Sequence, residues 1–114
     1  MARALTGRAA LVTGAAGGFG RVITRALLQA GACVMATDVS DSGLETLGRQ
    51  MTSEGLASGL ALRHLDISDH KACTATVEAV WDRFQSLGIL INNGALVTET
   101  GRRSPVRAGY RYLP

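Results

Sequence analysis

A glycine-rich stretch at residues 13–20, Thr-Gly-Ala-Ala-Gly-Gly-Phe-Gly, restricts the possible folds of this chain more than any other part of the sequence. It follows an apolar run at residues 9–12 and precedes an amphipathic run at residues 22–28, so the order predicts a strand, a tight turn and a helix. Such a turn directs backbone N–H groups and the positive end of the helix dipole towards an anion. Glycine also serves ordinary turns, but the strand-to-helix context predicts a phosphate-binding loop.

Three glycines of this stretch have distinct expected roles. Gly14 can adopt the backbone conformation of the sharp turn, and Gly18 leaves room for a pyrophosphate to approach the backbone. Gly20 lets the helix pack close to the preceding strand. Each role depends on the absence of a side chain at that position.

Strand-like and helix-like runs alternate along the first 92 residues. Apolar runs predict four strands, at residues 8–13, 32–37, 60–65 and 89–91. Helical spacing predicts three helices: residues 19–30, capped by Gly31; a helix with Leu44, Leu47 and Met51 on one face; and a helix with Cys73, Val77, Val80, Trp81 and Phe84 on its core face. This alternation predicts an α/β fold, a partial Rossmann-like, doubly wound parallel sheet with strand order 3-2-1-4.

The net charge of +3 comes from the end of the chain and not from its body. Four arginines and no acidic residues lie after residue 100, so residues 1–100 hold eight basic and nine acidic residues. The basic balance therefore gives no reason to expect the folded body to bind nucleic acid. Residues 98–114 have no sustained apolar period, which predicts an Arg-rich irregular tail.

Composition also bears on the compartment. The chain has no apolar run long enough to span a bilayer and no apolar signal core at its start, which predicts a cytoplasmic protein without a membrane partner. Cys33 and Cys73 lack metal-ligand spacing and are expected to be reduced core thiols. His64 and His70 lack further metal ligands, so no metal site is predicted.

Residues 5–95 resemble the N-terminal half of the short-chain dehydrogenase/reductase family. The family signature Thr-Gly-x-x-x-Gly-x-Gly is matched in register by Thr13, Gly14, Gly18 and Gly20. Three later motifs also match: an acidic residue after the second strand (Asp38), Asp and an aliphatic residue after the third (Asp66-Ile67), and Asn-Asn-Ala-Gly after the fourth, present as Asn92-Asn93-Gly94-Ala95 with its last pair reversed. The resemblance implies an NAD(P)-dependent oxidoreductase that transfers a hydride between nicotinamide and a carbonyl or alcohol substrate.

The resemblance implies a partial NAD-binding domain at residues 1–97. Its predicted cofactor contacts are Gly14, Gly17, Gly18, Phe19, Gly20, Asp38, Asp66, Ile67 and Asn93. Asp38 would bond the adenosine ribose hydroxyls, although it could also simply cap a strand end. Relatives that use NADP often carry a basic residue at the positions of Gly17 and Val39, so NAD is the expected cofactor in preference to NADP.

Residues near the later motifs have a simpler alternative. The resemblance implies that Asp66 meets the adenine amino group while Ile67 covers the adenine ring. The alternative is that Asp66 is only a turn residue. Ser68 is expected to be the N-cap of the third helix. Asn92 is expected to tie strands together through backbone partners.

The catalytic residues of the family are the largest departure. The resemblance implies a serine on a fifth strand and a Tyr-x-x-x-Lys pair on the next helix. The two tyrosines here, Tyr110 and Tyr112, are not followed by a lysine, because the only lysine in the sequence, Lys71, precedes both. We therefore expect no catalytic residues in this chain and no turnover by it alone. The departure also suggests a truncated or frame-disrupted gene product, whose substrate would bind only in a full-length form.

Two other functions are compatible with the sequence. The chain could be a non-catalytic nucleotide-binding or interaction module, and the apolar run at residues 89–91, at an open sheet edge, predicts self-association. Arginine interleaved with tyrosine in residues 102–112 could contact nucleic acid, but a short segment of this kind is more often solvated, so nucleic acid is not an expected partner.

Overall fold

The computed structural model of the chain describes residues 3–94. Its elements are β1 (Ala9–Thr13), α1 (Gly18–Gln29), β2 (Cys33–Asp38), α2 (Asp41–Ser53), a short 3-10 helix (Ala57–Gly59), β3 (Leu60–His64), α3 (His70–Phe84) and β4 (Ile89–Asn92). The predicted four strands and three helices are confirmed, and the 3-10 helix before β3 is an addition. The predicted boundary at residue 97 and the tail at residues 98–114 lie outside the described residues.

The four strands form one parallel sheet in the order β3-β2-β1-β4, which confirms the predicted topology. β1 pairs with β2 from Ala9↔Cys33 and with β4 from Ala10↔Ile89. β2 pairs with β3 up to Asp38↔His64. Because all four strands run the same way, the loops that follow them meet at one edge of the sheet.

The sheet is covered on both faces, and β1 is buried along its whole length. One apolar cluster joins alternate residues of β1 and β2 to Ala15 and to residues of α1 and α2. Its members are Ala10, Val12, Ala15, Leu28, Val34, Ala36, Leu47 and Met51. The second cluster lies under α3 and contains Leu11, Met35 and Val80. Near-continuous apolar strands are expected where both faces of a parallel sheet are covered.

The predicted core face of α3 is only partly correct. Val80 and Thr76 are buried, whereas Trp81 is 51% exposed and Val77 is 38% exposed. Helical spacing identifies a broad apolar stripe, but only its centre touches the sheet. Val80 lies at that centre, and Trp81 lies one residue, about 100°, further round the helix.

The helix ends show which short-range predictions were correct. Gly31, with φ of 96°, follows the C-cap residue Ala30 of α1 and donates its N–H to the Leu28 carbonyl oxygen, as a glycine at the end of a helix is expected to do. The predicted N-cap Ser68 is wrong, because Asp69 caps α3 by accepting a hydrogen bond from the Ala72 N–H at 3.0 Å. The Asp69 carboxylate reaches the free amide of the third helical residue, which leaves the Ser68 hydroxyl for another partner.

An ion pair on the surface connects α1 to the residue that follows α2. Arg25 donates to both carboxylate oxygens of Glu54, at 2.7 and 3.0 Å. These hydrogen bonds raise the pKa of Arg25 and lower the pKa of Glu54 from their ordinary values. None of the helices within residues 3–94 has the length and apolar character needed to cross a membrane.

Candidate functional site

A cleft of about 480 Å³ opens at the carboxyl edge of the sheet, where the loops after all four strands converge. Its lining residues come from these loops: Gly14, Gly17, Asp38, Val39, Leu65, Asp66, Ile67, Ser68, Asn93 and Gly94. Ligands of open α/β sheets bind at this edge, where the strand order reverses, here between β1 and β4.

The glycine-rich loop, residues 14–17, forms one wall of the cleft. Gly14 has a φ of 67°, the conformation of a sharp turn that side chains rarely adopt. A Cβ atom at Gly20 would overlap the Gly14 carbonyl oxygen and crowd Ala15, so α1 packs closely at Gly20 against the turn after β1 and not against the predicted strand itself. A Cβ atom at Gly18 would meet no atom within 4 Å. The backbone at Gly18 is therefore open to a ligand, and its contact with a pyrophosphate stays a prediction.

Asp38 is the last residue of β2 and extends into the same cleft. Its Oδ2 accepts a hydrogen bond from the Ala16 N–H at 3.0 Å, and its Oδ1 accepts one from the Ser40 N–H at 3.0 Å. The simpler alternative, a carboxylate that caps the strand end, is thus present in the structure. Ribose binding by Asp38 is compatible with these bonds and stays a prediction.

Asp66 and Ile67 follow β3 on the opposite side of the cleft. Asp66 Oδ1 accepts hydrogen bonds from the hydroxyl and from the backbone N–H of Ser68, at 2.6 and 2.9 Å. Both bonds lower the pKa of Asp66 below its ordinary value, and the bond from the Ser68 hydroxyl has the larger effect. An exposed, ionised carboxylate therefore stands at the mouth of the cleft, available to a hydrogen-bond donor of a ligand.

Thr13, a residue of the family signature with no role predicted from the sequence, connects the ends of β1 and β4 beside the cleft. Its hydroxyl accepts a hydrogen bond from the Gly94 N–H at 2.9 Å and lies 3.3 Å from Asn92 Oδ1. The side-chain partner of Asn92 is thus the Thr13 hydroxyl and not the predicted backbone. A threonine directly before Gly14 was the available signal, because a hydroxyl at a strand end can bond the neighbouring strand.

Asn93 joins the loop after β4 to the glycine-rich loop. Its Nδ2 donates to the Gly14 carbonyl oxygen at 3.2 Å. A Cβ atom at Gly94 would lie 3.2 Å from the Thr13 hydroxyl oxygen and 3.3 Å from Ile67 Cδ1, so the alanine of the family motif would require these side chains to shift by a few tenths of an ångström.

The structure brings together six of the nine predicted cofactor contacts: Gly14, Gly17, Asp38, Asp66, Ile67 and Asn93. The other three do not line the cleft. Gly20 is buried beneath the loop, Gly18 faces open space beside it, and Phe19 is 77% exposed on α1. The predicted cofactor contacts did not include four further lining residues, which lie next to predicted ones in the chain: Val39, Leu65, Ser68 and Gly94.

No group of three or more metal-ligating side chains occurs within residues 3–94. His64 bonds Asp41 through its Nδ1 at 2.9 Å, and both side chains are exposed. Cys33 and Cys73 are free thiols. What converges at the cleft is a glycine-rich backbone and two carboxylates, which suits the binding of a nucleotide with hydroxyl, amino and phosphate groups.

The family profile described as short chain dehydrogenase matches residues 8–107. The chain is 42% identical over 96 residues to fluoren-9-ol dehydrogenase of Terrabacter sp. (strain DBF63), which covers 84% of this chain and 26% of that protein. The chain spans between about a quarter and just over half of the length of the first curated relatives that it matches.

Solved structures of reductases have the same fold as this chain. A 3-ketoacyl-(acyl-carrier-protein) reductase from Brucella melitensis complexed with NADH has a TM-score of 0.72 and 30% identity, over 82% of this chain and 36% of that one. The actinorhodin polyketide ketoreductase with NADPH has a TM-score of 0.74 and 30% identity, over 85% of this chain and 36% of that one. Structures similar to this chain therefore include complexes with both nicotinamide dinucleotides.

Proposed function

This chain belongs to the short chain dehydrogenase family, and from that membership we propose that its carboxyl-edge cleft binds the adenosine diphosphate portion of NAD. The chain would be the dinucleotide-binding part of an oxidoreductase acting on an alcohol or carbonyl substrate. The observation that supports this most strongly is the convergence of the glycine-rich loop, Asp38 and Asp66 on one cleft. When bound, the nicotinamide ring accepts or donates the hydride.

The residues present fit such a ligand. The open space at Gly18 and the N-terminal end of α1 would receive the pyrophosphate, because unpaired N–H groups and the helix dipole favour negative charge there. Asp38 would accept hydrogen bonds from the ribose hydroxyls. Asp66 would accept a hydrogen bond from the adenine amino group, with Ile67 against the ring. Asn93 would hold the Gly14 carbonyl and so keep the loop in its binding conformation.

We expect NAD to bind more tightly than NADP. The Asp38 carboxylate repels a 2′-phosphate, and the neighbouring cleft residues Gly17 and Val39 supply no positive charge to offset that repulsion. Calorimetry of the full chain with NAD⁺ and with NADP⁺ tests this directly. Tighter binding of NADP⁺ would contradict the preference, and no binding of either would contradict the proposed function.

The proposal assigns no catalysis to this chain by itself. No tyrosine in it is followed by a lysine in the family pattern, and a positioned acid or base typically contributes about 10²–10⁴-fold to the rate. A dye-linked assay with NAD⁺ and a panel of alcohols should give background rates. Turnover that persists through stringent purification would overturn this expectation. Loss of that turnover in Tyr110→Phe would assign the activity to Tyr110.

The proposal places the protein in the cytoplasm.

A second candidate is an interaction module that binds nucleotide without catalysis. The observation in its favour is an exposed apolar edge: Leu90, in β4, is 62% exposed. Within the described part of the chain β4 pairs with β1 alone, which leaves its other side free to associate with a second copy. Concentration-dependent sedimentation together with background dehydrogenase activity would favour this candidate.

A further inference from the structure

Both oxygens of the Asp38 carboxylate accept hydrogen bonds from the backbone of this chain. One donor, the Ala16 N–H, belongs to the glycine-rich loop, and the other, the Ser40 N–H, belongs to the loop between β2 and α2. A single side chain at the end of β2 therefore bridges two separate loops beside the cleft.

The bond from the Ala16 N–H differs from the bonds that the neighbouring amides of the glycine-rich loop donate. The Ala15 N–H bonds the Thr37 carbonyl at 2.9 Å, and the Gly17 N–H bonds the Gly14 carbonyl at 3.3 Å, so both use backbone acceptors. Within residues 3–94, Ala16 contributes the loop amide that is held by a side chain. The position of this amide consequently depends on the identity of residue 38.

The electrostatic setting strengthens this bridge. Ala16 lies just before the N-terminal end of α1, and Ser40 is the N-cap of α2. The first turn of α1 contains no acidic residue, whereas that of α2 contains Asp41, so the charge of Asp38 meets the positive end of α1 without competition from within that helix. Hydrogen bonds from N–H groups to a carboxylate are roughly twice as strong as neutral ones.

The bridge leaves room for ribose binding. A carboxylate offers about four acceptor positions, and the two backbone bonds use one on each oxygen. Two positions remain for the hydroxyls of a ribose, so the carboxylate can hold the loop and a ligand at the same time.

We propose that Asp38 is a positioning residue that fixes the glycine-rich loop against the β2–α2 loop, in addition to its role in choosing the cofactor. The consequence for nucleotide binding rests on the proposed function, whereas the effect on the loop does not. Removing the carboxylate would release the Ala16 amide and weaken the binding of NAD⁺, whereas for NADP⁺ the released loop would be offset by the lost repulsion of the 2′-phosphate. The loss would be larger for NAD⁺, which also loses its ribose contact.

Amide hydrogen exchange of the ¹⁵N-labelled full chain, measured by NMR, tests the loop directly. We expect Asp38→Ala to accelerate exchange at Ala16 and Ser40 by about tenfold or more, the effect of losing one charge-assisted hydrogen bond. The Ala15 amide, which bonds the Thr37 carbonyl, should keep its protection and serves as the internal reference. Asp38→Asn keeps the side-chain size but only one oxygen, so at least one of the two amides should exchange faster.

The matched control is Asp41→Asn, which removes a charge at the same edge from a carboxylate that bonds only the His64 ring in the described structure. It should leave exchange at Ala16 and Ser40 unchanged. If Asp38→Ala does not fold, Asp38→Asn decides the question alone. Unchanged protection at both amides in the folded variants would overturn the inference. Failure of the wild type to bind either nucleotide would count against the proposed function only, because the exchange measurement needs no ligand.

Discussion

At the scale of single residues, Gly18 and Gly20 lie two positions apart but offer an added methyl group opposite surroundings. In Gly20→Ala the Cβ atom would overlap the Gly14 carbonyl oxygen, which is backbone and cannot rotate away. We expect a loss of about 3 kcal/mol or more in the free energy of unfolding, at the upper end for overpacking. Urea denaturation followed by circular dichroism measures this loss.

Gly18→Ala is the matched control for that experiment. Its Cβ atom would enter open space, so the free energy of unfolding should stay within about 1 kcal/mol of the wild type. If a pyrophosphate approaches the backbone there, as we propose, the same variant should bind NAD⁺ at least about tenfold more weakly. Equal destabilisation by the two substitutions would contradict the assigned roles.

Asp66 gives a prediction about pH. Its pKa is lowered by the hydroxyl and the backbone N–H of Ser68, so its ionised form is favoured in the folded protein. The corresponding stabilisation is present above the ordinary range of aspartate and is lost as the pH falls below about 4. Ser68→Ala should raise the pKa of Asp66 towards its ordinary value, which carbon-detected NMR titration of the carboxyl group measures. An unchanged Asp66 pKa in Ser68→Ala would show that the hydroxyl does not cause the shift.

At the scale of elements, α3 allows the same substitution to be made in two environments. Val80 is fully buried against the sheet, and Val77, three residues earlier, is 38% exposed. Val80→Ala should cost about 2 kcal/mol, because it removes buried methyl groups and leaves a cavity. Val77→Ala should cost less than about 1 kcal/mol by the same urea titration. A larger loss for Val77→Ala would mean that this side of α3 is covered in solution.

Sequence patterns predicted the elements and their order better than the burial of individual side chains. Strand positions, strand order and the glycine turn followed from apolar runs and chain order, because short-range preferences and crossover handedness determine them. The exposure of Trp81 did not follow, since a helical stripe does not specify how much of its width touches the sheet. Likewise Thr13 and the Asp66–Ser68 bonds depend on contacts between side chains at the end of a strand, which spacing alone does not reveal.

At the scale of the whole molecule, the apolar edge at β4 predicts how the chain behaves in solution. We expect it to be marginally stable, to bind a hydrophobic dye and to self-associate, with weak stabilisation by NAD⁺. Leu90→Lys should lower dye fluorescence and make sedimentation less dependent on concentration. Leu62→Lys, at the opposite edge strand β3, is the control and should not reduce association. A monodisperse wild-type monomer that melts cooperatively without ligand would contradict this expectation.

The junction of Thr13 with Asn92 also has a consequence for the order of folding. These residues lie 79 positions apart in the chain, whereas the bond between Thr37 and Val12 joins β1 and β2 across 25 positions. Closing the longer segment costs more chain entropy, so β3, β2 and β1 are expected to assemble before β4 docks. Asn93 reaches the glycine-rich loop only with that last strand. The cleft is therefore completed in the final step of folding, and a nucleotide that binds it would select chains that have finished folding.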